Sequence, residues 1–428
     1  MKLNRLLGTA ALAAGLYGTT VSGVQAADLE FYFPVGVNAP AVETIQEMVD
    51  AWDEAHPEHT VKAVYAGNYE ETTTKALTAA QAGNAPDVAV LLAIDIFTLV
   101  EEDVVAPFSQ MATSEEDKAW MDSFIKGFTV DTVFGGETYS IPFQRSTPIF
   151  YYNKDAFREA GLDPEKAPES WAEMIEIGKK LVKKDDAGNV VQWGTRVPNL
   201  GLAGLWLLGG MVYSMDGTLT TDSGTEVQFN TDATLSAISF LKSLAEEGIM
   251  QPGGVTWGDT PKAFIEGNTA SMWTSSGNLA FVNDNAEFEW GTAFLPGGNH
   301  PGASLGGGNF YIFKDTSDDE KAAALDLVKF MTSPENAAKW AISTGYVATS
   351  EAAWETAAIK DYTAQLPQAL VARDQLPYAY REVATFQRKR VAQIMADALE
   401  AIIAEGADPK ASLANAQSEV DKILADYN

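Results

Sequence analysis

Residues 60–92 read T-V-K-A-V-Y-A-G-N-Y-E-E-T-T-T-K-A-L-T-A-A-Q-A-G-N-A-P-D-V-A-V-L-L. T-V-K-A-V-Y (60–65) predicts a strand. Residues 68–82 predict a helix, closed by Gly83 and Asn84 in its C-cap region. D-V-A-V-L-L (87–92) is a continuous apolar run, as a strand buried on both faces of a parallel sheet requires. Upstream, L-E-F-Y-F (29–33) alternates as a strand that Pro34 and Gly36 end. Val42, Ile45, Met48, Val49 and Trp52 then recur at helical spacing over 41–56. Downstream, Ile94 to Val100 opens another helix. Strands alternating with helices predict a doubly wound α/β fold.

The middle of the chain changes character. Residues 139–157 form an extended stretch with two prolines that leads into a helix start. Helices are expected at about 170–184, 231–247 and 318–332, and a strand at F-Y-I-F (310–313). The Gly- and Leu-rich segment 200–214, with Trp206, reads as either a core helix or a pocket wall. No tandem repeat, low-complexity tract or long linker separates two halves. The chain is therefore expected to cross several times between two lobes of roughly 150–200 residues, leaving a cleft that closes like a hinge.

Composition limits the function classes. Lys2 and Arg5 precede an apolar run from Leu6 to about Tyr17, followed by Val24 and Ala26 at the −3 and −1 positions of a cleavage site. This reads as a secretory signal peptide, 1–26, and predicts a soluble periplasmic protein. The apolar run is far shorter than the ~20 residues that span a bilayer. There is no cysteine, so thiol catalysis, a Cys-based metal site and a lipid-modified cysteine anchor are all excluded. The net charge of −30 at pH 7 argues against nucleic acid or an anionic membrane as partner.

Catalytic motifs are missing. His56 and His59 flank a helix end in H-P-E-H, where Pro57 breaks metal-ligand spacing, and the histidines are expected in solvent. No nucleophile elbow, P-loop or dinucleotide fingerprint is present, and G-G-G (306–308) lacks a following Lys-Ser/Thr. No cofactor or metal is expected. Polar, glycine-containing turns beside aromatics stand out instead. T-S-S-G-N (274–278) is either an ordinary N-cap or a set of donors for an anion or hydroxyl. G-G-G-N (306–309) permits close backbone approach, S-T-G-Y (343–346) presents Tyr346, and Arg388 or Arg390 could supply a charge-assisted donor. Trp171, Trp206, Trp257 and Trp273 add aromatic faces suited to a polyol or sugar cleft, though most such rings are core.

With Y-A-G-N-Y-E (65–70), G-N-A-P-D (83–87), S-T-P-I-F-Y-Y-N-K-D-A-F-R-E-A-G-L-D-P-E (146–165), S-W (170–171), T-S-S-G-N-L (274–279), S-P-E-N-A-A-K-W (333–340) and T-G-Y (344–346), the chain resembles the extracellular solute-binding proteins of carbohydrate-type ABC importers. The N-Y-E, S-S-G and T-G-Y set resembles their glycerol-phosphate branch. The resemblance implies two α/β lobes, 27–143 with 298–332 and 144–297 with 333–428. It implies a transport role: a monomer that captures glycerol-3-phosphate or a related glycerophosphodiester and delivers it to membrane permease subunits, without catalysis. By position it places Tyr69, Ser146, Trp171, Ser275, Gly307 and Tyr346 in the cleft. Two departures stand out. The family's hydroxyl-binding Glu falls on Ala93, with Asp95 two residues away, and its phosphate-binding Arg falls near Arg388 or Arg390 only with a short insertion. A neutral mono- or oligosaccharide is the alternative ligand.

Overall fold

The alternating run after the leader becomes β1 (Asp28–Phe33), followed by α1 (Ala41–Ala55), β2 (Thr60–Tyr65), α2 (Tyr69–Gln81) and β3 (Val88–Leu92). The computed structural model describes residues 26–37 and 40–427. The signal-peptide reading therefore lies, but for Ala26, outside the described residues. A short β4 (Val105–Ala106) precedes β5 (Ile141–Ser146) and β6 (Pro148–Asn153). Next come α3 (Trp171–Leu181), α4 (Gly201–Tyr213), α5 (Asp232–Glu246), β7 (Ser271–Ser275), β8 (Trp290–Ala293) and β9 (Gly306–Phe313). The chain continues through α6 (Asp318–Met331), α7 (Pro334–Thr344), α8 (Arg388–Ile403) and α9 (Pro409–Leu424).

Two sheets organise these elements. The first runs β2-β1-β3-β9-β4, with β5 also pairing β9. Its β1 pairs β2 and β3 in parallel, as a doubly wound half requires, and β9 enters antiparallel. The second is antiparallel, β7-β6-β8. Separate cores follow. Phe31, Phe33, Ile45, Val49 and Trp52 bury against Phe310, Leu327 and Met331 around the first sheet. Phe150, Met174, Leu208, Leu241, Met395 and Leu413 pack on the second sheet and its helices. Burying each such side chain contributes about 1.5–3 kcal/mol.

The chain passes between the sheets at Ser146-Thr147-Pro148 and returns ahead of Gly306. It then leaves the first body through α7. That helix puts Trp340 into the first core and Ala337, Ala338 and Ala341 against Ile149, Tyr151 and Met272. These crossings place the end of β5 and the start of β9 at the bottom of the gap between the bodies.

The histidines differ from expectation. His56 and His59 stack on Trp52 at centroid distances of 4.5 and 5.7 Å, and His59 Nδ1 accepts the Ala27 N–H at 3.0 Å. Flat rings beside a buried indole gain more from packing than from water. Among the described residues no group of side chains could hold a metal ion, and no helix is long and apolar enough to cross a membrane.

Candidate ligand cleft

A cavity of about 350 Å³ lies between the two bodies. Its first wall starts at α2. Asn68 and Glu71 form a reciprocal capping box, each side chain accepting the other's backbone N–H at 3.0 Å. That cap fixes Tyr69 at the first helical position, so its ring lies against Gly36 and Gly308. Tyr69 Oη donates to Gln144 Oε1 at 2.8 Å and lies 3.1 Å from Tyr346 Oη. A phenol has one proton, so with Tyr69 donating to Gln144 it is Tyr346 that donates to Tyr69. Gly345, in the left-handed region at φ 99°, ends α7 and turns Tyr346 inward. The Tyr346 ring stacks on Trp340 at 5.6 Å. Burial raises both phenols, that of Tyr346 to about 12, so they stay protonated at neutral pH. Tyr346→Phe is expected to cost about 1 kcal/mol of stability through the lost hydrogen bond. Urea titration checks this, and an unchanged midpoint would remove the hydroxyl pair from the account.

The floor is glycine. Gly307 has φ +95°, and a Cβ there would stand 1.7 Å from the Gln144 carbonyl oxygen. A register shift between Gly308 and Asn309 marks the bulge that carries this conformation. Gly306 and Gly308 leave room for the Trp206 and Tyr69 rings, which a Cβ would meet at 2.6 and 3.0 Å. Ser146, opposite Gly306 in the ladder, is buried beside them, and no hydrogen bond is formed by its hydroxyl among the described residues.

The second wall is aromatic. α4 supplies Leu202, Ala203 and Trp206, and Trp257 stands beside them. The two indoles meet at 5.5 Å and 65°. Trp206 Nε1 donates to the Leu305 carbonyl at 3.0 Å, and Trp257 Nε1 donates across the gap to the Gly36 carbonyl at 3.3 Å. With both N–H groups engaged, the rings offer the cavity their faces. Glu382 completes the lining. Its surface faces the cavity while protein surrounds it, and burial raises its carboxyl to about 8 against the pull of Arg388 and Arg145.

Tyr69, Ser146, Gly307 and Tyr346 thus come together around one cavity. Five other residues singled out in the sequence do not line it. Ser275 ends β7, and its hydroxyl accepts the Gly277 N–H at 3.1 Å, an ordinary cap one layer behind Tyr346. Trp171 opens α3 and lies flat on Phe240, at 4.7 Å and 5°, along a separate groove. Asp95 and Arg388 hold each other: Arg388 Nε donates to Asp95 Oδ1 at 2.5 Å and its Nη2 to Glu70 Oε1 at 2.8 Å, while the Thr73 hydroxyl donates to Asp95 Oδ2 at 2.8 Å. Burial alone would lower the Arg388 guanidinium, but Asp95 and Glu70 outweigh it and raise it. Arg390, two residues along α8, falls on the exposed side beside Tyr427. Ala93 is buried in the turn after β3, where its carbonyl accepts from Tyr311 at 3.1 Å.

Glu382, Arg145 and Arg381 carry no mark in the sequence that points to the cleft. Arg145 is fully buried and donates to the Gly307 carbonyl and to Asn309 at 3.2 and 3.3 Å. Arg381 pairs with Asp131 and, at 3.2 Å, with Asp222. Nothing in Y-A-Y-R-E (378–382) distinguishes Arg381 and Glu382 from residues of a surface loop.

The comparisons agree with this architecture. A family model described as bacterial extracellular solute-binding protein matches residues 47–368. The sn-glycerol-3-phosphate-binding periplasmic protein UgpB of Pectobacterium atrosepticum is 27% identical over 379 residues, 86% of this chain and 83% of that protein. Its counterpart in Salmonella typhimurium is 26% identical over 344 residues, 78% of this chain and 77% of that protein. The crystal structure of UgpB from Mycobacterium tuberculosis, in complex with glycerophosphocholine, superposes with a TM-score of 0.81 at 26% identity, covering 94% of this chain and 98% of that one. The maltodextrin-binding MalE of Bdellovibrio bacteriovorus, bound to maltotriose, shares the fold with a TM-score of 0.80 at 18% identity, over 93% of this chain and 100% of that one.

Proposed function

The chain belongs to the bacterial extracellular solute-binding proteins, and from that premise we propose that it captures a glycerophosphodiester, or glycerol-3-phosphate itself, between its lobes. The captured solute passes to the permease of an ABC-type importer without chemical conversion. The observation that carries the reading is the cavity itself. Two hydroxyl-bearing tyrosines, Ser146 and a glycine floor stand on one side and two indole faces on the other, in a chain similar along most of its length to glycerol-3-phosphate-binding proteins.

In this reading Tyr346, Ser146 and the Gly307 backbone meet the polar end of the ligand, while Trp206 and Trp257 cover its carbons. Ser275 supports Tyr346 through the 276–278 turn. The lobe division at 143/144, 297/298 and 332/333 belongs to the same proposal. Open and closed arrangements exchange, and a ligand touching both walls favours the closed one. A neutral saccharide is the second reading, favoured by the indole faces and by the absence of Lys or Arg from the cavity lining among the described residues.

Thermal melting against glycerol-3-phosphate, glycerophosphocholine, glycerophosphoglycerol, glucose and maltose tests the reading. A ligand at a hundred times its Kd stabilises the folded state by about 2.7 kcal/mol, a visible shift. Hits only among the sugars would move the ligand to the second reading. Trp206→Ala is expected to weaken any true ligand about tenfold or more, because a ring closing a desolvated pocket dominates binding energy. Calorimetric titration of that variant with the best hit, giving an unchanged Kd, would place the ligand elsewhere.

A further inference from the structure

Buried guanidiniums and carboxyls surround the cavity, and one carboxyl among them, that of Glu382, faces the ligand space. Three guanidiniums lie behind the lining, those of Arg145, Arg381 and Arg388. Four carboxyls accompany them: Asp95 and Glu70 on Arg388, Asp131 on Arg381, and Glu382. Asp222, which also meets Arg381, stands in solvent. Arg388 already has two carboxylate partners, and Arg145 directs its Nη1 at Gly307 and Asn309. Among the described residues Glu382 forms no hydrogen bond or ion pair, yet it lines the cavity. A phosphomonoester dianion entering here would face this carboxyl, while Arg145, the one guanidinium of the three with no carboxylate partner among the described residues, is buried behind the glycine floor and does not line the cavity.

The rings add an attraction of the same sense. Trp206 and Trp257 have their N–H groups engaged by backbone carbonyls, and the Tyr69 and Tyr346 hydroxyls bond to each other. The aromatic faces that remain are electron-rich surfaces that attract an alkylated ammonium group. A carboxylate beside aromatic faces in a partly desolvated pocket is suited to an organic cation and poorly suited to an anion.

We propose that Glu382, with the faces of Trp206 and Trp257, makes this cavity selective for a solute carrying an alkylated ammonium charge, a cation or a zwitterion, over an equivalent anion. The inference rests on the reading of this cavity as the ligand site. Burial holds the Glu382 carboxyl near 8 before ligand arrives, so an incoming ammonium group ionises it and releases a proton. The groups that face it are Arg388, Arg145, Asp131, Glu70 and Tyr69, and Glu382, the carboxyl that lines the cavity, is the source of the proton.

The test is calorimetric titration of the full chain with two diesters of one backbone, glycerophosphocholine and glycerophosphoglycerol. The first carries a quaternary ammonium and the second does not. Expected are at least tenfold tighter binding of the choline ester, corresponding to about 1.4 kcal/mol, and proton release on binding it at pH 7, read from buffers of different ionisation enthalpy. Glu382→Gln is expected to lose that preference and that proton while melting as a folded protein. Equal affinities for the two diesters in the unmodified chain overturn the inference alone, with no variant needed. Binding of neither diester, with a sugar bound instead, overturns the ligand reading and the inference with it. A choline preference that persists in folded Glu382→Gln overturns the role of Glu382.

Discussion

Gly307→Ala is expected to destabilise the chain by about 3 kcal/mol or more and to abolish ligand binding. Two costs combine. At φ +95° any L side chain is strained, which costs of order 1–3 kcal/mol. The added Cβ would also stand 1.7 Å from the Gln144 carbonyl oxygen, a backbone atom that moves only if β5 moves. Relief requires the β5–β9 ladder to part at the point where Gly307 pairs with Arg145. Ser146 and Tyr69 would follow, since Tyr69 hangs on Gln144. Gly83→Ala is the control: its φ is +74°, but nothing lies within 4 Å of the added carbon. The difference between the two urea midpoints isolates the clash from the backbone strain. If the variants fall within about 1 kcal/mol of each other, the strain common to both accounts for the loss and the floor of the cleft is softer than its geometry implies.

The contrast between what the sequence discloses and what it hides follows the range of the forces. The strands and helices of 28–92 are legible because hydrophobic periodicity is a local property, and their observed limits differ from the expected ones by a residue or so. Tyr69, Ser146, Gly307 and Tyr346 meet around one cavity because each sits at a backbone feature with a sequence mark: a capping box, a β5 end, a glycine run, a left-handed cap. Trp171 also follows a cap, that of Ser170, yet its ring goes to Phe240, 69 positions away in the chain as numbered, through a packing choice no local signal records. Glu382 is the opposite case. It lies in a stretch without periodicity, and only the convergence of β5, α2 and α8 makes it the buried carboxyl of the cleft. Asp95 and Arg388 were each legible as polar groups near the cleft, but their mutual pairing is a contact between residues 293 positions apart.

That pairing has the second large expected effect. Arg388→Met should destabilise the chain by about 3–5 kcal/mol, because removing one partner of a buried pair leaves the other charge without compensation. Arg388 and Asp95 side chains are only 4% and 3% exposed, so little solvent screening softens the loss. The cost should not reflect the attraction itself. Arg388→Met with Asp95→Asn is expected to recover most of it, since the amide oxygen can still accept from Thr73 and neither member of the pair is left as a buried charge. The pH dependence separates the two variants. In Arg388→Met the Asp95 carboxyl, already raised by burial even beside the guanidinium, rises further above its unfolded value. A carboxyl raised in the folded state contributes stability that is fully present below the unfolded pKa and is lost as pH climbs through the folded one. The single variant should therefore approach the double variant as pH falls from 8 towards 4 and diverge from it above neutrality. The pair also joins the turn after β3 to α8, one element from each side of the cavity, so its loss should open the ligand-free form. X-ray scattering would show a larger radius of gyration for Arg388→Met than for the unmodified chain, at a pH where both are folded. Equal radii, together with equal stability of the single and double variants at pH 8, would reduce the pair to a surface-grade contact and leave closure to the ligand alone.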